Sequence, residues 1–463
     1  MLLSLLLVYG AVLVGAGIVV GRRVRGSGDF FVAGRALSGR MVFVTLLAAN
    51  IGAGSTVGAA GLGYRYGLSA WWWSGSAAIG CLFLGLFVAP RLHRLATDRG
   101  FLTVGDFLEA RYDRSVRGLV ALLLWGGTLL ILSGQLIAVA WALEVLLDLP
   151  KVWGCLLAGV VVVAYFSGGG LLASVWVNLI ELVVLLAGFA LAVPFALVAA
   201  GGWPALGAAA GPGQADAYGS ATGMGAAWIL GLVLTLGPSF VVSPGLVQKT
   251  WGARSASGAR GAALGNAAAL ALFAFVPALL GMSVRAVRPD LANPELALPT
   301  LMADILPAWL GALGLAALFA AEASTADAVL FMLATSLAKD LYKTFLRPDA
   351  DDATLLRVSR WTSVAAGGLG TVLAVFVPTV VDALKAFYGV MTVALFAPLL
   401  VGLFSRRPRA RHARRALAAA VATALAGQLL WRGSPLASWA PFAAGVLAAL
   451  AVFATAYFEP ADS

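Results

Sequence analysis

Thirteen apolar runs of membrane-spanning length dominate this chain of 463 residues, at 2–21, 41–66, 68–90, 117–147, 150–167, 171–199, 224–246, 261–284, 307–337, 359–378, 380–404, 414–431 and 437–457. About 20 apolar residues suffice for a helix to cross the hydrocarbon core. In lipid every backbone polar group must be paired within the span, which leaves helices for such a chain. Only 11% of the residues are charged, against about 25% in soluble domains. The expectation is an all-α polytopic membrane protein with about 13 transmembrane helices. The first run has no basic residue before it and Arg22, Arg23 and Arg25 after it, so it reads as a retained span and not a signal peptide.

The charges then orient the chain. With the N-terminus outside and the C-terminus cytoplasmic, 25 of the 31 Lys and Arg residues fall in inner loops, as the positive-inside rule requires. That bias explains the net charge of +10 and leaves no reason to invoke nucleic acid. Cys81 and Cys155 lie in apolar runs and read as buried thiols without a disulfide. His93 and His412, the two histidines, lie in Arg-rich loops, so neither a zinc cluster nor a membrane-embedded nucleophile motif is present, and the chain is not read as an enzyme. After Glu459 only four residues follow, and no soluble module is expected there.

Two of the spans are built to break. Residues 46–63, LLAANIGAGSTVGAAGLG, combine five glycines with Asn50, Ser55 and Thr56. Five spans later, LGPSFVVSPG places Pro238, Pro244 and Gly245 beside Ser239 and Ser243. Interrupted helices at matching positions mark inverted repeats with a binding site between them, as in secondary transporters. Spans two to six and seven to eleven are therefore read as the two repeats. The corresponding division is 1–39 (first span and cytoplasmic loop), 40–199 (first repeat), 200–223 (outside loop), 224–404 (second repeat) and 405–463 (basic loop and two final spans), all within one transporter domain.

The ninth span supplies the groups to face the break. In LAALFAAEASTADAVLF, Ala321, Ser324, Thr325 and Ala328 share one helix face. Two hydroxyls there can meet the free carbonyls of the broken second span, a donor set of hard oxygens without a fixed charge. Glu322 and Asp327 flank that face, and Asn178 and Glu181 lie one turn apart in the sixth span. Ionisable groups at membrane depth are costly and mark functional sites.

Six stretches in order, DFFVAGRALS (29–38), AANIGAGSTVGAAGLGY (48–64), VGDFLEARY (104–112), SGGGLLASVWVNLIE (167–181), VQKTWGARS (247–255) and STADAVLFMLATSLAKDLYK (324–343), make the chain resemble the sodium/solute symporter family of proline, sugar, iodide and pantothenate carriers. The resemblance implies a five-plus-five inverted-repeat core of the LeuT type. It also implies Na+ as coupling ion, held by the carbonyls of Ala48 and Ile51 with Ala321, Ser324 and Thr325. Some members hold a second sodium ion with an Asp of the sixth span; here Asn178 stands in that span and Asp327 in the ninth. A possible second ion or proton site is therefore assigned to Asn178, Glu181, Glu322 and Asp327. Asn50 stands where proline carriers have Asp, which argues against proline.

The expected function is import of a small organic solute, such as an amino acid or organic acid, coupled to Na+ by alternating access in the plasma membrane. Substrate contacts are expected from Asn50, Ser55, Thr56, Gln135, Ser239, Ser243 and Tyr388. Trp71–Trp73 are read as interfacial anchors or as an outer gate wall. The rival readings are a proton-coupled carrier using Asp327 and Glu322, and a transport-like solute sensor. The partners implied are the solute and the bilayer, with the chain a monomer or weak homo-oligomer.

Overall fold

The computed structural model describes residues 33–166, 170–210 and 215–459. The first expected span lies outside them. The twelve later runs are helical, in the order the hydropathy pattern requires. Among the described residues, seven helical stretches are long and apolar enough to cross a membrane by length and composition.

The first expected break is present. Helix α1 (Gly39–Asn50) stops at Ile51, whose extended backbone leaves the helix, and α2 (Ala59–Tyr66) resumes after a π-helical turn, Gly54–Gly58. Next come α3 (Trp71–Phe83), α4 (Ala89–Arg99) and the short α5 (Val104–Arg111), which Thr103 and Asp106 start with a capping box. The long α6 (Arg114–Leu147), α7 (Lys151–Phe166) and α8 (Gly170–Ala199) complete the first half.

The second half repeats the device. α9 (Ala226–Val242) ends at Ser243, and α10 (Pro244–Trp251) restarts with proline at its first turn, where no amide donor is needed. α11 (Ala256–Phe273), α12 (Phe275–Val287), α13 (Ala308–Thr335), α14 (Asp352–Phe376), α15 (Val380–Met391) and α16 (Ala397–Phe404) follow. Two further helices, α17 (Ala410–Leu430) and α18 (Ala440–Thr455), pack on each other.

Burial separates the centre from the rim. The most apolar stretch of α13 is 83% buried within the protein, whereas that of α8 is only 33% buried. α8 exposes Leu179, Ile180, Val183 and Val198, as a lipid-facing helix does. Helices inside a bilayer gain nothing from burying one another's leucines, so close contact falls to small residues. α2 and α12 cross this way: a Cβ at Gly281 would overlap the Ala60 carbonyl.

The loop after α12 turns inward. Pro294–Leu296 forms a 3-10 turn that buries Glu295. Its carboxylate accepts from Val380 N (2.9 Å), Val381 N (3.1 Å) and Trp141 Nε1 (3.0 Å). Burial raises the Glu295 carboxyl above its usual range, while these donors oppose the rise. It caps the N-terminus of α15, where a negative group is favoured.

Candidate functional site

At the break the backbone loses its helical partners, and nearby side chains take their place. Gly52 N donates to Ser55 Oγ (3.1 Å), and Ser55 Oγ donates to Asn50 O (2.9 Å). Ala53 N donates to Gln135 Oε1 of α6 (2.9 Å). Thr56 Oγ1 lies 2.9 Å from both Gly52 O and Glu322 Oε1. The hydroxyls that stand out in the sequence therefore first satisfy a backbone that lipid could not.

α13 closes on the same break. Ser324 Oγ lies 3.0 Å from both the Ala48 and the Ala321 carbonyls. Thr325 Oγ1 donates to Ala49 O at 3.4 Å and stands against Gly52. Ile51, fully buried, is the residue at which α1 ends, adjacent to these contacts. Ala48, Ala321 and Ser324 are thus directly joined, with Thr325 and Ile51 beside them. The group offers carbonyl and hydroxyl oxygens, the hard donors that suit a small cation.

Glycine at position 52 is a steric requirement of this arrangement. A Cβ there would overlap the Thr325 hydroxyl and come 2.7 Å from the Gln135 amide oxygen. Gly52→Ala is expected to wedge α1 from both α6 and α13. The result should be loss of sodium-dependent uptake with the protein still inserted, checked by uptake alongside surface expression.

A cavity adjoins the cation donors. It is lined by Asn50, Ser55, Trp73, Gln135, Ser243, Thr325 and Tyr388 among others, and among the described residues no charged side chain lines it. Tyr388 packs against Trp73, Phe240 and Phe387, with ring centroids 5.2 to 6.4 Å apart. Trp73 therefore belongs to the cavity wall, while Trp71 and Trp72 bond outward to the carbonyls of Ala271 and Ala221.

Two expected substrate residues lie off the cavity lining. Thr56 turns away to Gly52 and Glu322, and Ser239 donates to the Leu236 carbonyl within its own helix (2.8 Å). Neither lines the cavity. Each hydroxyl has a nearby carbonyl partner, as Ser and Thr within helices often do, and Thr56 also meets Glu322 of α13.

Sequence reasoning missed a second polar centre. Arg117, counted with the loop charges, is buried. Its guanidinium meets Asp340 (2.7 Å), Asp106 (3.0 Å) and Glu109 (2.7 Å), and Lys339 meets Asp106 (2.7 Å). Thr103 adds a hydroxyl to Asp340 (2.5 Å). The cluster ties α5 and α6 to the end of the ninth span. It borders a second cavity that shares Met332, Phe387 and Met391 with the first, so these three side chains separate the two. The signal available in the sequence was the acidic pair in VGDFLEARY, spaced to face a helix that begins with arginines.

The model of the sodium:solute symporter family matches residues 30–419. The chain belongs to the sodium:solute symporter family. The sodium/pantothenate symporter of Escherichia coli K12 is 29% identical over 404 residues, 84% of this chain and 82% of that protein. The sodium/glucose cotransporter of Vibrio parahaemolyticus is 28% identical over 201 residues, 42% of this chain and 36% of that protein. The matched part thus spans about a third of that relative's length. Among solved structures, a Na+-coupled sialic acid symporter in a substrate-bound outward-open state superposes with a TM-score of 0.81 at 18% identity, covering 99% of this chain and 98% of that one. That likeness establishes the LeuT-type fold for this symporter-family chain.

Proposed function

We propose that this chain is a secondary transporter that imports a small organic solute with Na+ by alternating access. The carrying observation is Ser324 Oγ at 3.0 Å from the Ala48 carbonyl. It puts hydroxyl donors of α13 on the free end of a broken helix, next to an uncharged cavity. The sodium site is assigned to Ala48, Ile51, Ala321, Ser324 and Thr325, and the solute site to Asn50, Ser55, Gln135, Ser243 and Tyr388.

The physics of coupling follows from the placement. A ligand shifts a conformational equilibrium only by its differential affinity for the two states. An ion bound between α1 and α13 favours the state in which they touch, and the touching state also completes the cavity wall through Gln135 and Thr325. The Met332, Phe387 and Met391 partition and the Arg117 cluster then close the inner side. One Na+ moving down ~100 mV releases about 2.3 kcal/mol, and a tenfold gradient adds about 1.4 kcal/mol. The sum of about 3.7 kcal/mol supports roughly 500-fold accumulation of solute.

The cavity also bounds the solute. Amide and hydroxyl groups with aromatic walls and no counter-charge suit a small neutral or zwitterionic molecule, or an organic acid whose charge the sodium ion balances. A polyanion finds no partner there. The basic-loop bias supports an inner-membrane protein with its N-terminus outside and its C-terminus cytoplasmic; a monomer or weak homo-oligomer is the working state proposed with it.

Proteoliposome uptake across a panel of such solutes tests this reading. Accumulation of a bound solute driven by a Na+ gradient is the expected result. Accumulation driven by a pH gradient without Na+ would replace sodium by protons carried on Asp327 or Glu322. Tight solute binding without flux would make the chain a sensor.

A further inference from the structure

Lys249 is one of the most deeply buried large side chains of the protein, with 1% exposure. Five residues on, Arg254 of the same basic stretch is exposed. The sequence placed both in an inner loop, but α10 carries Lys249 back into the bundle beyond the Ser243 break. Its Nζ donates to the Thr45 carbonyl of α1 at 3.0 Å. The Thr45 hydroxyl in turn accepts from Asn178 Nδ2 of α8 at 3.3 Å.

Two buried acids complete the group. Glu181 is one turn beyond Asn178 and fully buried, and Asp327 is one turn beyond Ser324 and 5% exposed. Both carboxyls lie close enough to Lys249 and to each other to couple electrostatically. Four helices, α1, α8, α10 and α13, thus meet near one ammonium: the Thr45 carbonyl accepts from it, the Thr45 hydroxyl and the Asn178 amide tie α1 to α8, and two buried carboxyls lie within electrostatic reach. Such oxygens are the donor set of a hard cation. A buried ammonium is tolerable only where opposite charge and hydrogen bonds surround it, and these groups supply both.

We infer that the Lys249 ammonium is the resident cation of this Thr45, Asn178, Glu181 and Asp327 cluster and excludes a second sodium ion from it, so that each cycle carries one Na+, at the Ala48 and Ser324 site. The stoichiometry rests on the sodium coupling proposed above; the occupancy of the cluster by Lys249 does not. The same ammonium joins the two interrupted helices, because α10 follows one break and α1 precedes the other.

Equilibrium binding of radiolabelled sodium to the purified full-length protein in detergent tests the inference. The wild type should bind one ion per chain, and the Ser324→Ala, Thr325→Val double variant none. Lys249→Met, which keeps length and apolar bulk but removes the charge, should gain one ion. Adding Asp327→Asn to Lys249→Met should remove the gained ion. Two ions on the wild type, or a folded Lys249→Met protein that gains no ion over the wild type, would overturn the inference. A wild type that binds none, with Lys249→Met binding one, would sink sodium coupling and leave the cluster assignment standing. If Lys249→Met does not fold, the wild-type count still decides, together with an unchanged count in Asp327→Asn alone.

Discussion

Uptake by the Ser324→Ala, Thr325→Val double variant is expected to lose its dependence on sodium. An oxygen ligand to a cation is an ion–dipole contact; taking its worth as comparable to a hydrogen bond to a charged group, about 1.5–3 kcal/mol, each hydroxyl is expected to shift sodium affinity roughly 10- to 100-fold. The two act on one ion, and their combined removal should leave no saturable sodium dependence in the physiological range. The fold should survive, because Ala and Val fill most of the space left in a fully buried helix face. The half-saturating sodium concentration in reconstituted uptake is the measurement, with Thr325→Ser as the control that keeps the donor. Sodium dependence unchanged in the double variant would defeat the site.

Arg117→Met is expected to produce the second large effect, at the other end of the transport path. Removing one partner of a buried ion pair costs about 3–5 kcal/mol. Here Arg117 serves three carboxylates at once, and Lys339 would remain on Asp106 alone. The variant should melt at a lower temperature and populate an inward-open state. A Thr335→Cys reporter in the second cavity should then label rapidly from the inner side, against low background because Cys81 and Cys155 are buried. Unchanged melting and unchanged labelling would show that the cluster is not a gate.

That cluster also carries a defined pH dependence. Burial by itself would raise the Asp106 carboxyl, but the Lys339 ammonium and the Arg117 guanidinium outweigh it and hold the group below its ordinary value of 3.8. A carboxyl depressed on folding adds stability that is complete above the unfolded value and lost as pH falls through the folded one. Asp106 therefore contributes fully at neutral pH, and its contribution fades only below about 3.8. Thermal melts of wild type and Asp106→Asn should converge in that acid range and separate above it.

Much of the fold is legible in the residues because lipid leaves the chain few choices. Runs such as 117–147 and 307–337 must be helices, and the Gly-rich and Pro-rich interruptions at 46–63 and 238–245 must be breaks, since nothing else pairs a backbone in hydrocarbon. The face carrying Ala321, Ser324 and Thr325 follows from helical periodicity. Its meeting with Ala48 was readable only through the family resemblance.

What a side chain does at the centre was less legible, because it depends on neighbours far along the chain. Thr56 and Ser239 looked like solute contacts, yet one turns to Glu322, 266 residues away, and the other to its own helix. Lys249 and Arg117 looked like loop charges under the positive-inside rule, which counts residues by loop and cannot see a helix re-entering the bundle. Composition and periodicity determined the order and interruption of the helices among the described residues. The tertiary structure decided which buried charges meet, which hydroxyls reach the cavity and where Lys249 ends. Pairing energies between distant groups, unlike the cost of an unpaired backbone in lipid, exist only once the helices have packed.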